Sequence, residues 1–231
     1  MALPKIKHPT YTVVIPSTKQ SVNIRPFTVQ EEKLLLMTRS GGGTDDIVKT
    51  VKQIISNCII ESINVDKLAT FDIEYLFIKL RSKSVGEIVD LEYTVPETEE
   101  KIKFKLNLDD VEVKYNDKHV NKFNLTGEIG VVMRYPTLNE VQMIEQSEDP
   151  EKTLLDILFK CIDKIYDNDN LYSDFTDEEL QEFVDNLPVE AMPKIRDFFE
   201  TMPSVVHELK LKSKDGKTVD VTIRGLTNFF T

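Results

Sequence analysis

An ordered set of elements occurs twice in this chain, and that repetition constrains the fold more than any other feature of the sequence. Thr28-Val29-Gln30-Glu31 is a capping box, in which the Thr hydroxyl and the Glu carboxylate satisfy each other's backbone N–H groups at a helix start. Thr137-Leu138-Asn139-Glu140 is a second one, 109 residues further on, counting from 28 to 137. The residues leading into the boxes also correspond, Arg25-Pro26-Phe27 against Arg134-Tyr135-Pro136.

Each box follows a predicted strand pair. In the first copy these are Tyr11 to Ile15 and Val22 to Arg25, joined by Pro16-Ser17-Thr18-Lys19-Gln20; in the second they are Asn121 to Leu125 and Ile129 to Arg134, around Thr126-Gly127-Glu128. Leu34, Leu35 and Leu36 continue the first helix. Downstream, Ile54-Ile55-Ser56-Asn57-Cys58-Ile59 matches Ile157-Leu158-Phe159-Lys160-Cys161-Ile162 at an offset of 103, from 58 to 161. Both lie in amphipathic helices, with Val51, Ile54, Ile55, Cys58 and Ile59 on one apolar face and Leu154, Leu158, Cys161, Ile162 and Ile165 on the other. The offset shrinks because the first copy carries Gly41-Gly42-Gly43 where the second has Ser147-Glu148-Asp149-Pro150, a cap with Pro at the first helical position.

A further helix follows in each copy, led by Thr70-Phe71-Asp72 and by the capping box Thr176-Asp177-Glu178-Glu179. Each copy then ends in a hairpin. Leu91 to Val95 turns at Pro96-Glu97-Thr98 into Lys101 to Leu108, whose apolar/polar alternation buries one sheet face. His207 to Lys212 turns at Asp215-Gly216, a type I′ signal, into Thr218 to Ile223. The expected fold class is α+β, two copies of a hairpin-helices-hairpin unit with small antiparallel sheets packed on helices. The expected domains are residues 1–110, a polar linker at 111–120, and residues 121–231.

Composition narrows the function classes. Forty Asp and Glu against 29 Lys and Arg give a formal charge of -11, which repels phosphate backbones and anionic membranes, so neither nucleic acid nor membrane is an expected partner. A basic or neutral protein surface suits this charge, although acidity also simply keeps proteins dispersed. No window has the run of about 18 apolar residues that spans a bilayer, and the first residues lack a signal-peptide core, so a cytosolic site of synthesis is expected. Cys58 and Cys161 fall within apolar helical patterns and read as reduced core residues.

No motif carries chemistry. His8, His119 and His207 sit in the start, the linker and a strand, with no neighbours forming a triad or metal site, and no G-x-S-x-G, Walker loop or H-E-x-x-H occurs. Gly41-Gly42-Gly43 follows a helix and lacks Lys-Ser/Thr, so it reads as a connector rather than a phosphate cradle. Asp167-Asn168-Asp169-Asn170-Leu171-Tyr172, with Glu178, approaches a calcium loop but has Leu171 and Tyr172 where an oxygen ligand and Gly are needed. No catalytic, cofactor or metal residue is therefore expected, and a solvated acidic loop is the reading there. Lys101, Lys103 and Lys105 line one strand face, either to meet an anionic partner or, preferably, to block edge-to-edge aggregation. The apolar run of Phe71, Tyr75, Leu76, Phe77, Ile78 and Leu80 reads as a buried central helix, with a partner-facing helix as the alternative.

Three segments carry a resemblance: Leu3-Pro4-Lys5 with Pro9-Thr10-Tyr11, then Arg25 to Leu36, then Phe71 to Glu87. Together they resemble the baseplate hub assembly proteins of T4-like contractile-tailed bacteriophages, most strongly in the first copy. The resemblance implies a late viral protein without catalytic activity, an assembly chaperone or minor component that binds baseplate hub or tail proteins in the cytoplasm of the infected bacterium or in the virion. Carried over by residue, it points to Arg25, Glu31, Glu32 and Lys33 at the first box, and to Asp72, Tyr75, Arg81, Lys83 and Glu87 in the third segment, as partner-binding positions. The rival readings are a permanent virion subunit and a metal-dependent hydrolase built on Asp167, Asp169 and Glu178.

Overall fold

The structure, a computed structural model, describes residues 4, 6–41, 44–96 and 98–225. Leu3, Lys5, Glu97 and the last two glycines of Gly41-Gly42-Gly43 lie outside the described residues. The chain divides into two compact units, one formed by Met1–Lys114 with Ser204–Thr231 and the other by Tyr115–Pro203.

Unit 1 begins with the hairpin β1 (Tyr11–Val14) and β2 (Ser21–Ile24), followed by α1 (Val29–Gly41), α2 (Thr44–Cys58) and α3 (Thr70–Val85). A second hairpin, β3 (Ile88–Thr94) and β4 (Lys101–Asn107), leads into the short strand β5 (Glu112–Lys114). The apolar spacing of α2 places Val48, Val51, Ile54, Ile55 and Cys58 inward. Helix α3 is the buried central helix, because Phe71, Ile73, Leu76, Phe77, Ile78 and Leu80 are buried over more than half of its circumference. Both hairpins turn through the same pattern: Ile15 N–H donates to Gln20 O and Lys19 N–H to Ile15 O, as Val95 N–H does to Glu100 O and Glu99 N–H to Val95 O. Lys19 and Glu99 take the left-handed backbone conformation there, at φ 58° and 55°.

Unit 2 is a four-stranded antiparallel sheet covered by helices. Its elements are β6 (Lys122–Thr126), β7 (Ile129–Met133), α4 (Leu138–Glu145), α5 (Pro150–Lys160), β8 (Ile162–Tyr166), β9 (Leu171–Tyr172), α6 (Asp177–Asp185) and α7 (Ala191–Thr201), with strand order β6-β7-β8-β9. Leu125, Val131, Met133, Ile157, Leu158, Cys161, Ile195 and Phe198 form its core. Asp149 caps α5 by accepting from Lys152 N–H at 3.1 Å, and Pro150 takes the first helical position.

The last hairpin, β10 (Ser204–Lys212) and β11 (Thr218–Arg224), was expected to close the second copy. It belongs instead to unit 1, where β10 pairs with β5, Ser204 opposite Lys114 and Val206 opposite Glu112. The stretch expected as linker therefore contributes a strand to unit 1, and its His119 packs within unit 2. The physical reason is an unpaired edge: β5 leaves backbone groups open on one side, and β10 satisfies them. The turn at Asp215-Gly216 also differs from the type I′ expectation. Ser213 N–H donates to Lys217 O, Gly216 N–H donates to Ser213 O, and of the two central residues only Gly216 has positive φ, at 80°. A type I′ turn needs positive φ at both, and here the Ser213–Lys217 bond closes a three-residue loop, Lys214-Asp215-Gly216, with only its last residue left-handed.

Candidate interaction surface

The first capping box is closed by an arginine. The Thr28 N–H and hydroxyl donate to Glu31 Oε2 at 2.8 and 2.5 Å, while Arg25 Nη2 and Nη1 donate to its two oxygens at 3.0 and 3.3 Å. Arg25 N–H reaches across to Cys58 O at 2.9 Å, fastening β2 to the end of α2. The second box has the same wiring. Thr137 N–H and hydroxyl donate to Glu140 Oε2 at 2.8 and 3.0 Å, Arg134 grips Glu140 at 2.7 and 3.0 Å, and Arg134 N–H donates to Cys161 O at 2.8 Å. Strand contacts match too, since Ile24 bridges Ile59 and Met133 pairs with Ile162.

These latches set the electrostatics. Burial pushes the Glu31 carboxyl up, but the Arg25 guanidinium and the Thr28 donors outweigh it and lower the group to about 2. Glu140 is lowered by the same balance of burial against Arg134 and Thr137. Glu31 is 1% exposed, so this residue, expected to touch a partner, instead ties Arg25 to the helix start. Arg25 is half-buried and committed to the same pair.

Asp72 is likewise removed from the surface. It is fully buried and accepts from Ser17 N–H at 2.8 Å, from the Ser17 hydroxyl at 2.5 Å and from Ala69 N–H at 3.1 Å, joining the first hairpin turn to the start of α3. Burial raises its carboxyl, opposed by those donors and by the charge of Lys19. Lys83 forms an ion pair with Asp109 at 2.8 Å. Ser82 donates to Asp109 at 2.6 Å, and Lys79 Nζ donates to the Leu108 and Asp109 carbonyls at 3.3 and 2.9 Å. Three residues of α3 thus hold the turn after β4, a role the sequence reading missed because Asp109 is far along the chain.

The remaining expected positions face solvent wholly or in part. Glu32, Lys33 and Glu87 are exposed, and Tyr75 and Arg81 are half-buried. Burial lowers Arg81 and the charge of Glu32 opposes it, which couples α3 to α1. Beside Glu32 and Lys33, α1 exposes Val29, Leu36 and Met37 at 72, 56 and 73%. Val29, Lys33, Leu36 and Met37 follow i, i+4, i+7, i+8 spacing, so they form one stripe of the helix. A solvent-facing apolar stripe of this kind is a recognised feature of protein-contact surfaces. The family model described as T4 bacteriophage base plate protein matches residues 8–231.

The chain belongs to that family. No curated protein and no solved structure matches it. Family membership gives this baseplate protein a structural or assembly role in the phage tail baseplate, in contact with other tail proteins, and the family is typically non-enzymatic. No helix among the described residues is long and apolar enough to cross a membrane.

Other groups singled out in the baseplate protein's sequence are used internally. Asp167 accepts from Asp169 N–H, Asn170 N–H and the Tyr172 hydroxyl at 2.9, 2.7 and 3.0 Å, so its carboxylate closes the β8–β9 turn. Among the described residues no group of three His, Cys, Asp or Glu is placed to hold a metal ion. The lysines of β4 face acids across the hairpin, Lys103 opposite Glu92 and Lys105 opposite Asp90, with Lys101 paired to Glu92 at 2.8 Å, so two carboxylates offset most of the charge of the three lysines on that face.

Proposed function

We propose that this protein is a baseplate hub assembly factor, which binds hub or tail proteins during tail morphogenesis in the cytoplasm of the infected bacterium and performs no catalytic step. The observation that carries the reading is the exposed stripe of Val29, Lys33, Leu36 and Met37 on a helix whose start is locked by the Arg25–Glu31 latch. A rigidly held apolar stripe flanked by charges suits a contact surface, because little ordering entropy remains to be lost on binding. Glu32 on the same helix and Arg81, which feels the charge of Glu32, are its proposed polar surroundings, and Tyr75 and Glu87 are proposed as further contact positions. The two matched latches support descent of the chain from a duplicated unit, with the copies diverged to meet different partners.

The test is co-purification of hub proteins from infected cells with the wild-type chain and with Arg81→Ala, Tyr75→Ala and Met37→Glu. Loss of captured hub proteins at an unchanged melting midpoint supports the reading; retention in all three variants rejects this surface. A permanent virion subunit is the second reading, favoured by membership of a baseplate family. Mass spectrometry of purified phage separates the two, because an assembly factor is absent or far below hub stoichiometry.

A further inference from the structure

Lys33 stands in the middle of the exposed stripe of α1. On a helix a side chain's neighbours are the residues three and four positions away, which for Lys33 are Val29, Gln30, Leu36 and Met37. All four are uncharged and exposed. With about 100° between successive residues, Val29 and Leu36 lie on one side of Lys33 and Gln30 and Met37 on the other. The acid next to it in sequence, Glu32, points about 100° away, and its charge is felt by Arg81 of α3. No ion pair among the described residues involves Lys33. The lysine is therefore a solvated cation ringed on its own helix by apolar and amide side chains.

A surface that covers Val29, Leu36 and Met37 must cover Lys33 as well, because it lies between them. Its four-carbon stem adds to the apolar contact, but the ammonium loses water and finds no carboxylate among its α1 neighbours to replace it. A buried cation left without an opposite charge weakens association, so the partner must bring that charge. A second copy of this chain does not supply it, since a two-fold contact centred on the stripe sets the Lys33 ammonium against its own symmetry mate. We propose that α1 docks on an apolar patch of another protein that carries an Asp or Glu side chain at its centre, aimed at the Lys33 ammonium. This rests on the stripe being the contact surface and adds what a partner must present there. The apolar side chains supply the buried area, and the Lys33 pair fixes the register and rejects apolar patches without a central acid.

The test is capture from infected-cell lysate by the immobilised full chain, with the captured proteins identified by mass spectrometry and the same species compared between variants. Lys33→Met keeps a stem of similar length and apolar character and removes the charge. Since Lys33 is exposed, this variant should melt with wild type. Its capture should fall about tenfold or more, because the partner's acid is then buried unpaired. A wholly apolar partner would instead bind Lys33→Met as well as wild type or better. A water-soluble carbodiimide added to the wild-type complex gives a direct readout: it activates a carboxylate, the Lys33 amine displaces the urea, and an amide joins the two chains. The expected product is a Lys33 peptide joined through an Asp or Glu of the partner. Retained capture by Met37→Glu rejects the stripe itself as the contact surface. Loss with Met37→Glu but undiminished capture by Lys33→Met, or a captured partner that the carbodiimide never joins to Lys33, overturns the acidic centre alone.

Discussion

Arg25 and Glu31 form a two-pronged ion pair, at 3.0 and 3.3 Å, in which the carboxylate also accepts from the backbone and hydroxyl of Thr28. One buried acid therefore joins the end of β2 to the start of α1, and removing its charge should loosen both. Lowering Glu31 from 4.5 to about 2 is equivalent to at most about 3 kcal/mol of stability at neutral pH. Because the folded value is depressed, that contribution is full above about pH 4.5 and is lost as pH falls through about 2. Urea unfolding of Glu31→Gln should show a loss of about 2–3 kcal/mol at neutral pH. The gap to wild type should close with acidification, and a gap independent of pH would refute the assignment.

Asp72 serves three donors from two elements, so its loss should exceed the loss of any one of them. Asp72→Ala strands the Ser17 and Ala69 N–H groups in the interior and should cost about 2–4 kcal/mol. Ser17→Ala removes only the hydroxyl donor and should cost about 1 kcal/mol. Thermal or urea melts that rank the two variants in the reverse order would contradict this network.

Gly130 is required by space rather than by backbone conformation. A methyl group there would land on the Tyr166 ring and lie 2.7 Å from the Phe123 carbonyl oxygen. Gly130→Ala should therefore destabilise the protein by about 2–3 kcal/mol. Combining it with Tyr166→Ala should recover less than the whole loss, since the strand β6 carbonyl cannot move aside as a side chain can. Denaturant midpoints of the single and double variants test both statements.

Both thiols should be silent in the native protein. Cys58 and Cys161 are completely buried, and burial raises them to about 11 and about 12, far from the thiolate form at ordinary pH. A chromogenic disulfide reagent at about pH 8 should label neither residue until denaturant is added, and labelling should then follow the unfolding transition. Labelling of either thiol under native conditions would show that the α2 or α5 end opens.

The sequence by itself determined the parts of this protein that depend on neighbours a few residues apart. The helix starts at Thr28, Thr137 and Thr176, the buried face of α2 and the alternation of β4 are all written in spacings of two to four residues, and the structure has them there. The arginine three residues before each of the first two boxes was visible as a match between the copies, but its grip on the glutamate was not, because an extended approach and a helix start can face each other in several ways. Of the expected contact residues, Glu31 and Asp72 went inward, since Arg25 and Ser17 reach them only after the chain has folded back. Tertiary structure alone decided that Asp109 meets Lys79, Ser82 and Lys83, and that the last hairpin returns to β5. Those contacts join residues far apart in sequence, and what selects them is which strand edges and polar groups remain unsatisfied once the local elements have formed.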